Sequence, residues 1–484
     1  MTTRPETSTR PAEPRRAAET PSEAPASSGL GLGAVAVPVA FATTVTMWAV
    51  GYVAHLEALR VPRLALIVLI AVHLRGAWAA ARRSARPRAA GLLTGFLVSL
   101  LNLLILASFL TEGGEQPPGT VAASVGGFLL AGTALGFLMG ILAGRHPDRL
   151  PFHPERVFTR VAACATFLLV IIGGIVTTHE AGLAVPDWPT SFEANMFLLP
   201  FSRMVSQSDV YYEHAHRLFG ALVGLTTVTL ALFLARREPR RWVKGLGGVA
   251  ALLVVAQGTM GGLRVSLADN IETLESAGSL ALRVAHGVTG QVFLALLVAL
   301  ATFYSAAWTS GDRAVPERRR TERTLTAALL ALVLGQLLLG ALTRHLIRAD
   351  WVLPHILGAI VVGGVAVWTA ARAVGIYEDL PAVRGSGLAL VFLVILQLFL
   401  GFFALAFPQN PAPSSGTSGS LESLVTTGHQ ATGALVLSVV VVHLLRVWRL
   451  VGEPAPEAPA AWHPGPRTGP SRRRSVSRSL WFRD

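Results

Sequence analysis

The chain has 484 residues, 52% of them apolar and only 14% charged, with a mean hydropathy of +0.53. Soluble globular domains carry roughly 25% charged residues, so a water-soluble enzyme, a disordered chain and a disulfide scaffold are all excluded; the single cysteine, Cys164, rules out an intrachain disulfide. The net charge of +13 is read as a membrane-topology signal, not as the footprint of a nucleic-acid partner.

Residues 1–29 are rich in Pro, Ala, Ser and Thr, and their four arginines are matched by four glutamates, so a disordered tail is expected and no transit peptide or removable leader. Twelve apolar segments of membrane-spanning length follow, at about 32–55, 62–81, 90–110, 120–143, 157–178, 212–235, 243–262, 282–307, 324–343, 351–371, 386–407 and 424–447. All should be helices, because a lone spanning segment has to satisfy its own backbone. The last stretch, 451–484, is Pro- and Arg-rich and reads as a basic tail. The fold class is therefore all-α, a polytopic membrane protein.

The loops assign orientation. One set carries Arg82/Arg83/Arg86/Arg88, Arg145/Arg149/Arg156, Arg236/Arg237/Arg240/Arg241/Lys244 and Arg313/Arg318/Arg319/Arg320/Arg323. The alternate set is mostly acidic or neutral, with Arg60/Arg63 and Arg344/Arg348 as exceptions. The positive-inside rule then places both termini in the cytoplasm; a bacterial-type inner membrane is the expected location.

Four histidines stand at one depth: His216, His286, His355 and His429, near the starts of four helices that run from outside to inside. They are separated by 70, 69 and 74 residues, and each has a small residue four positions on, in HRLFG, HGVTG, HILGA and HQATG. Positions i and i+4 share a helix face, so a slot beside each imidazole is expected. Gln257–Gly261, Gln336–Gly340 and Gln397–Gly401 repeat Gln-x-x-x-Gly on the intervening helices. This reads as two duplicated four-helix halves, 155–310 and 311–450, behind an extra four-helix region, 30–154. Two facing histidines per half suit axial ligation of a heme iron. Zinc would want further convergent ligands, and an interhelical hydrogen bond is the competing reading of any one histidine.

The halves differ. Only the first has a carboxylate beside its histidine, Glu213 in Tyr211-Tyr212-Glu213-His214-Ala215-His216-Arg217; the positions near His355 are Val352 and Leu353. Glu213 and His216 share a face, so Glu213 is a candidate proton acceptor, an ion pair with Arg217 being the alternative. His214 points elsewhere and is read as an interfacial or loop-bonded residue. His55 and His73 belong to the extra region, which is read as a structural, docking or partner-binding unit in preference to a third heme site.

The Glu-His-x-His-Arg run at 213–217 resembles the Glu-x-x-His-Arg signature of heme A synthase, and Gly182-Leu183-Ala184-Val185-Pro186-Asp187-Trp188-Pro189 is similar to that family's Gly-Leu-Ala-Cys-Pro-Asp-Trp-Pro loop. The resemblance covers about 155–450. It implies an oxidoreductase of cytochrome oxidase assembly that converts the C8 methyl of heme O to a formyl group. By that resemblance His216 and His286 flank the heme O substrate, His355 and His429 ligate a resident heme b, and Glu213 is catalytic. Arg217, Arg344 and Arg348 are candidates for the heme propionates, lipid headgroups being the bland alternative. Implied partners are the bilayer, heme O synthase and an electron acceptor; nucleic acid is not expected, and a homo-oligomer is left open. Val185 departs from the family pattern, standing where many members have a cysteine. The competing classes are a non-catalytic diheme b-type electron carrier, which leaves Glu213 and the Asp187-Trp188-Pro189 loop unexplained, and a repeat-built transporter, which would place its polar residues at mid-membrane.

Overall fold

The computed structural model describes residues 30–56, 62–112, 114, 116–145, 151–267, 276–310, 319–346, 349–407 and 419–451. The tails 1–29 and 452–484 lie outside the described residues, as do Arg60, Arg149, Arg313, Arg318 and Arg348. Among the described residues twelve helices are long and apolar enough to cross a bilayer, so the chain is an all-α multi-pass membrane protein.

In chain order the helices are α1 (Leu32–Ala54), α2 (Pro62–Ala81), α3 (Pro87–Leu106), α4 (Pro118–Gly144), α5 (Pro154–Thr178), a short α6 (Phe201–Met204), α7 (Ser208–Arg237), α8 (Arg241–Ser266), α9 (Ala277–Thr302), a short α10 (Ala306–Ser310), α11 (Arg319–His345), α12 (Val352–Ile376), α13 (Pro381–Ala404) and α14 (Gly419–Leu450). Several begin two to five residues before their apolar stretches do. Proline opens α3, α4, α5 and α13 at the first turn, where its missing N–H is no loss and its fixed φ suits the helix. Hydropathy alone does not register such polar first turns.

Helices α1–α4 pack together, with α3 against α4 most extensively. The reason is backbone proximity: α4 carries Gly132, Gly136 and Gly140 every fourth residue, and a Cβ added to Gly91, Gly95 or Gly136 would run into a carbonyl of the facing helix. His73 Nε2 lies 3.2 Å from the Gly132 carbonyl, an interhelical hydrogen bond. His55 Nδ1 lies 2.8 Å from the Gly51 carbonyl of its own helix.

The next eight long helices form two four-helix bundles. In the first, α5 packs on α7 and α9, and α8 on α7 and α9, so α7 and α9 face each other diagonally. In the second, α11 and α13 each pack on α12 and α14, leaving α12 and α14 diagonal. The bundles join through α5–α14, α9–α14 and α9–α11, with Thr178 Oγ1 2.9 Å from Thr426 Oγ1 across the seam. The loop between α5 and α7 contains a two-residue hairpin, β1 (Thr190–Ser191) with β2 (Ala194–Asn195). At the opposite, arginine-rich end, guanidinium groups cap main-chain carbonyls. Arg156 donates to Tyr304 O at 2.7 Å, Arg449 to Trp308 O at 3.1 Å and Arg323 to Trp448 O at 3.1 Å.

Candidate functional site

The diagonal helices bring the four histidines together in two pairs. The His216 and His286 ring centres are 6.3 Å apart with planes at 80°; those of His355 and His429 are 6.3 Å apart with planes at 83°. A metal sits about 2 Å from an imidazole nitrogen, itself about 1 Å from the ring centre, so two rings sharing one metal are about 6 Å apart. Both pairs match that span. No group of three or more His, Cys, Asp or Glu that could hold a metal ion occurs among the described residues; two facing histidines are the donor set used in axial ligation of a heme iron.

A glycine on the preceding helix flanks every one of these imidazoles. A Cβ at Gly173, Gly340 or Gly401 would come within 3.0, 3.0 or 2.8 Å of Cε1 of His216, His355 or His429, and one at Gly261 within 3.5 Å of His286 Cε1. Three of these glycines belong to the Gln-x-x-x-Gly repeat, whose glutamine touches the same imidazole one turn away. The Gln257 amide lies 2.9 Å from His286 Nδ1. Gln336 Nε2 is 3.0 Å from His355 Nδ1 and 2.8 Å from His355 O. Gln397 reaches His429 through its side-chain amide nitrogen, 3.3 Å from Nε2, and its main-chain carbonyl, 3.2 Å from Nδ1. The repeat visible in the sequence is thus the shell around the histidines. The small residues four positions after each histidine behave differently from one another: Gly290 and Gly433 face the glutamine side chains, whereas a Cβ at Gly220 would meet nothing within 4 Å.

Glu213 is 4% exposed. Its Oε2 accepts from Val185 N at 2.7 Å and its Oε1 from Arg217 at 2.6 Å. Arg217 also donates to the carbonyls of Val185, Asp187 and Thr190 at 2.9, 2.6 and 3.1 Å. The guanidinium expected to face a propionate therefore spends these donors on the loop and on Glu213. The loop motif has a physical reading. Burial works against the Asp187 carboxylate, but donors from Thr190, Glu193 and Phe192 and the nearby Arg217 charge hold its pKa below the ordinary aspartate value. Its oxygens accept from Phe192 N at 2.6 Å and Glu193 N at 2.8 Å, where both residues have positive φ, so Asp187 caps the hairpin turn. Trp188 lies so close over Gly262 that a Cβ there would enter the indole, and Gly182 is held against Arg264 in the same way. His214 is fully buried, with Nδ1 3.3 Å from Ser191 Oγ; it bonds the loop and is not solvated.

Arg344 donates to Thr177 O at 2.8 Å and to Glu180 at 3.2 Å. Two arginines that the sequence reading missed lie alongside: Arg264, which donates to Gly182 O at 3.1 Å, and Arg283, 3.5 Å from Glu180. Arg344 and Arg283 both reach Glu180. A signal for the two missed arginines was present. Arg264 continues the Gln257–Gly261 stripe, and Arg283 precedes His286 by three residues as Glu213 precedes His216.

Residues 156–354 match the COX15-CtaA family, described as cytochrome oxidase assembly protein. The chain is 30% identical over 248 residues to the heme A synthase of a Caulobacter species, which is 43% of this chain and 66% of that relative. It is 29% identical over 222 residues to the heme A synthase of Caulobacter vibrioides, or 39% of this chain and 60% of that relative. The chain thus spans a little under two thirds of the curated relatives' length, and the matched region holds the Asp187 loop, Glu213, Arg217 and both histidines of the first bundle. Through that region the chain is similar to the heme A synthases and to the cytochrome oxidase assembly protein family.

Proposed function

We propose that the protein is a heme A synthase, which oxidises the C8 methyl of heme O, through the alcohol, to the formyl group of heme A for cytochrome oxidase. The observation that carries this reading is the pair of matched histidine sites, 6.3 Å between ring centres in each bundle, of which, among the described residues, one alone is accompanied by a buried carboxylate. The half at 155–310 is assigned to the substrate, heme O, between His216 and His286. The half at 311–450 is assigned to a resident heme b on His355 and His429. The region 30–154 supports the first half.

A bound heme supplies redox-active iron, and an external acceptor takes the electrons. What the chain contributes is position and proton handling. His216 and His286 orient the substrate from opposite sides. The oxygen atom of the formyl group comes from water, the electrons pass to the external acceptor, and Glu213, anchored by Val185 N–H and Arg217, accepts protons released as the carbon is oxidised. The loop held by Arg217 and Arg264 covers that end of the bundle and keeps Glu213 in place. Arg344, Arg348, Arg264 and Arg283 supply the positive charge for heme propionates. The membrane is assigned as the inner membrane, both termini cytoplasmic, with heme O synthase as the donor of substrate.

The test is heme extraction from cells making heme O together with this protein or its Glu213→Gln variant. Wild type should accumulate heme A, and Glu213→Gln should accumulate heme O while the purified protein keeps its heme. Normal heme A production by Glu213→Gln would overturn the catalytic assignment.

A further inference from the structure

The histidines and the Gln-x-x-x-Gly repeats put α7–α8 and α12–α13 in one register. Gly224 matches Gly363, each eight residues after its histidine; Gly247 matches Gly387, each ten before its glutamine; and Gly258 matches Leu398, each one after it. At the arginine-rich end both helix pairs close in the same way. A Cβ at Gly247 would lie 3.4 Å from Leu234 Cδ1 and 3.6 Å from Ala231 Cα of α7, and one at Gly387 would lie 2.7 Å from Ala373 Cβ and 3.3 Å from Ala370 O of α12. Toward the histidines the two pairs part. Gly363 is buried, and a Cβ there would meet Leu398 Cδ1 at 3.6 Å and Val394 Cγ1 at 3.9 Å. Gly224 is only half-buried, and a Cβ there, at Gly220 or at Gly258 would meet nothing within 4 Å.

Glycines on membrane helices ordinarily let two backbones approach, as Gly91 and Gly136 do between α3 and α4. Gly220, Gly224 and Gly258 do not; they leave a cleft between α7 and α8. Trp188, over Gly262 one turn from Gly258, covers the cleft at the loop end, and the contacts of Gly247 shut it at the other. Its rims are the exposed apolar side chains of Leu225, Val228 and Val255. Glu213 precedes Gly220 by seven residues and Gly224 by eleven, close to two and three full turns, so all three share one face of α7. At the head of the cleft His216 Nδ1 is buried with no hydrogen-bond partner among the described residues. Heme O carries a long isoprenoid chain that heme b lacks. We propose that the α7–α8 cleft holds this chain: Gly224 and Gly258 leave room for it beside the first site, and Leu398, seated on Gly363, denies that room at the second. The pair Gly258 and Leu398 thereby sorts the two hemes between the bundles by steric exclusion, not by a stronger attraction. This inference rests on the assignment of the two halves given above.

The test is titration of the full-length protein, purified in detergent without heme, with heme O or with iron protoporphyrin IX. Binding is followed by the absorption of the bis-histidine heme and by chromatography of the heme that stays bound. In a His355→Ala background, which isolates the first site, Gly258→Leu should weaken heme O by about tenfold or more, the scale set by one mis-sized group in an apolar pocket, and leave iron protoporphyrin IX unchanged. Gly245→Leu, an equal enlargement at an exposed glycine two residues from Gly247 and so on the other side of α8, should change neither. In a His216→Ala background Leu398→Gly should admit heme O to the second site, which otherwise takes iron protoporphyrin IX; this variant only removes volume, so it tests the cleft even where Gly258→Leu fails to fold. The proposal is overturned if a folded Gly258→Leu binds heme O as its parent does or loses both hemes alike, or if Leu398→Gly leaves the preference of the second site unchanged. Heme O binding that survives His216→Ala undiminished with Leu398 intact refutes the assignment of the halves, whereas binding that needs His216 but ignores Gly258→Leu refutes only the role given to the cleft.

Discussion

Removing the guanidinium at 217 is the sharpest perturbation of the Glu213 environment. The Glu213 and Arg217 side chains are 5% and 10% exposed and 2.6 Å apart. Arg217→Met preserves much of the apolar stem and deletes four hydrogen bonds, three of them to the carbonyls of Val185, Asp187 and Thr190. Glu213 is left with the Val185 N–H alone. Breaking a buried pair by removing one partner costs about 3–5 kcal/mol, because the other charge stays buried. Glu213→Gln is milder: the amide oxygen still accepts one of the two bonds, and losing a charged hydrogen bond costs about 1–3 kcal/mol. In the double variant no unpaired carboxylate remains, so its cost should fall short of the sum of the singles by about 1–3 kcal/mol. Unfolding of the detergent-solubilised chain measures the cycle, and limited proteolysis of loop 179–207 reports its release from α7. Additivity within about 0.5 kcal/mol, or a loop no more cleavable in Arg217→Met, would show that Arg217 does not hold Glu213 and the loop as one unit.

His355→Ala or His429→Ala should abolish the tightly held heme, while His216→Ala or His286→Ala should keep it and fail to process heme O; equal heme loss from both pairs, read by pyridine hemochrome, would refute the division between the bundles. Gly136→Leu should separate α3 from α4, because its Cβ would run into the Gly91 carbonyl; overpacking of about 1–3 kcal/mol should appear as a lowered melting temperature, and an unchanged one contradicts the packing. Burial raises the Glu238 pKa, but hydrogen bonds from Arg240 and Tyr304 outweigh it and bring the value from 4.5 to about 2. A carboxylate depressed on folding stabilises above its unfolded pKa and loses that contribution as pH falls through the folded one, so wild type should lose stability between about pH 4.5 and 2, and Glu238→Gln should lack this part of the acid profile.

Much of the fold was legible because each spanning helix announces itself by length and apolarity. What hydropathy missed were the polar first turns, opened by Pro87, Pro118, Pro154 and Pro381. The histidine register was legible through i, i+4 spacing, which depends on a single helix. The partner of each imidazole was not. The small residue on the histidine's own helix was expected to form the slot, whereas the glycine against the ring belongs to the preceding helix, and no single-helix periodicity can reveal a neighbour across an interface. Arg217 shows the same limit: its spacing from Glu213 revealed the ion pair, but its three loop carbonyls lie 27 to 32 residues away in sequence.

The extra four-helix region is separable in sequence at about residue 154, but its packing continues into the first bundle. Phe41 of α1 packs on Phe158 of α5 with ring centres 5.3 Å apart, and Trp48 meets Phe219 of α7 edge-on at 5.4 Å. Tyr52 stacks on Tyr211 at 5.5 Å, and the Tyr211 hydroxyl donates to Tyr52 O at 3.0 Å. Beyond α3, Thr111 donates to Leu198 O and Glu112 accepts from Ser202 N, tying the region to the same loop that Arg217 holds. Tyr211 lies two residues before Glu213, and Phe219 three after His216. Each such aromatic pair contributes about 0.5–1.5 kcal/mol beyond the area it buries. The region therefore bears on the one helix that carries both the carboxylate and the histidine without a polar partner, which is where rigidity has to be imposed by packing if hydrogen bonds do not supply it.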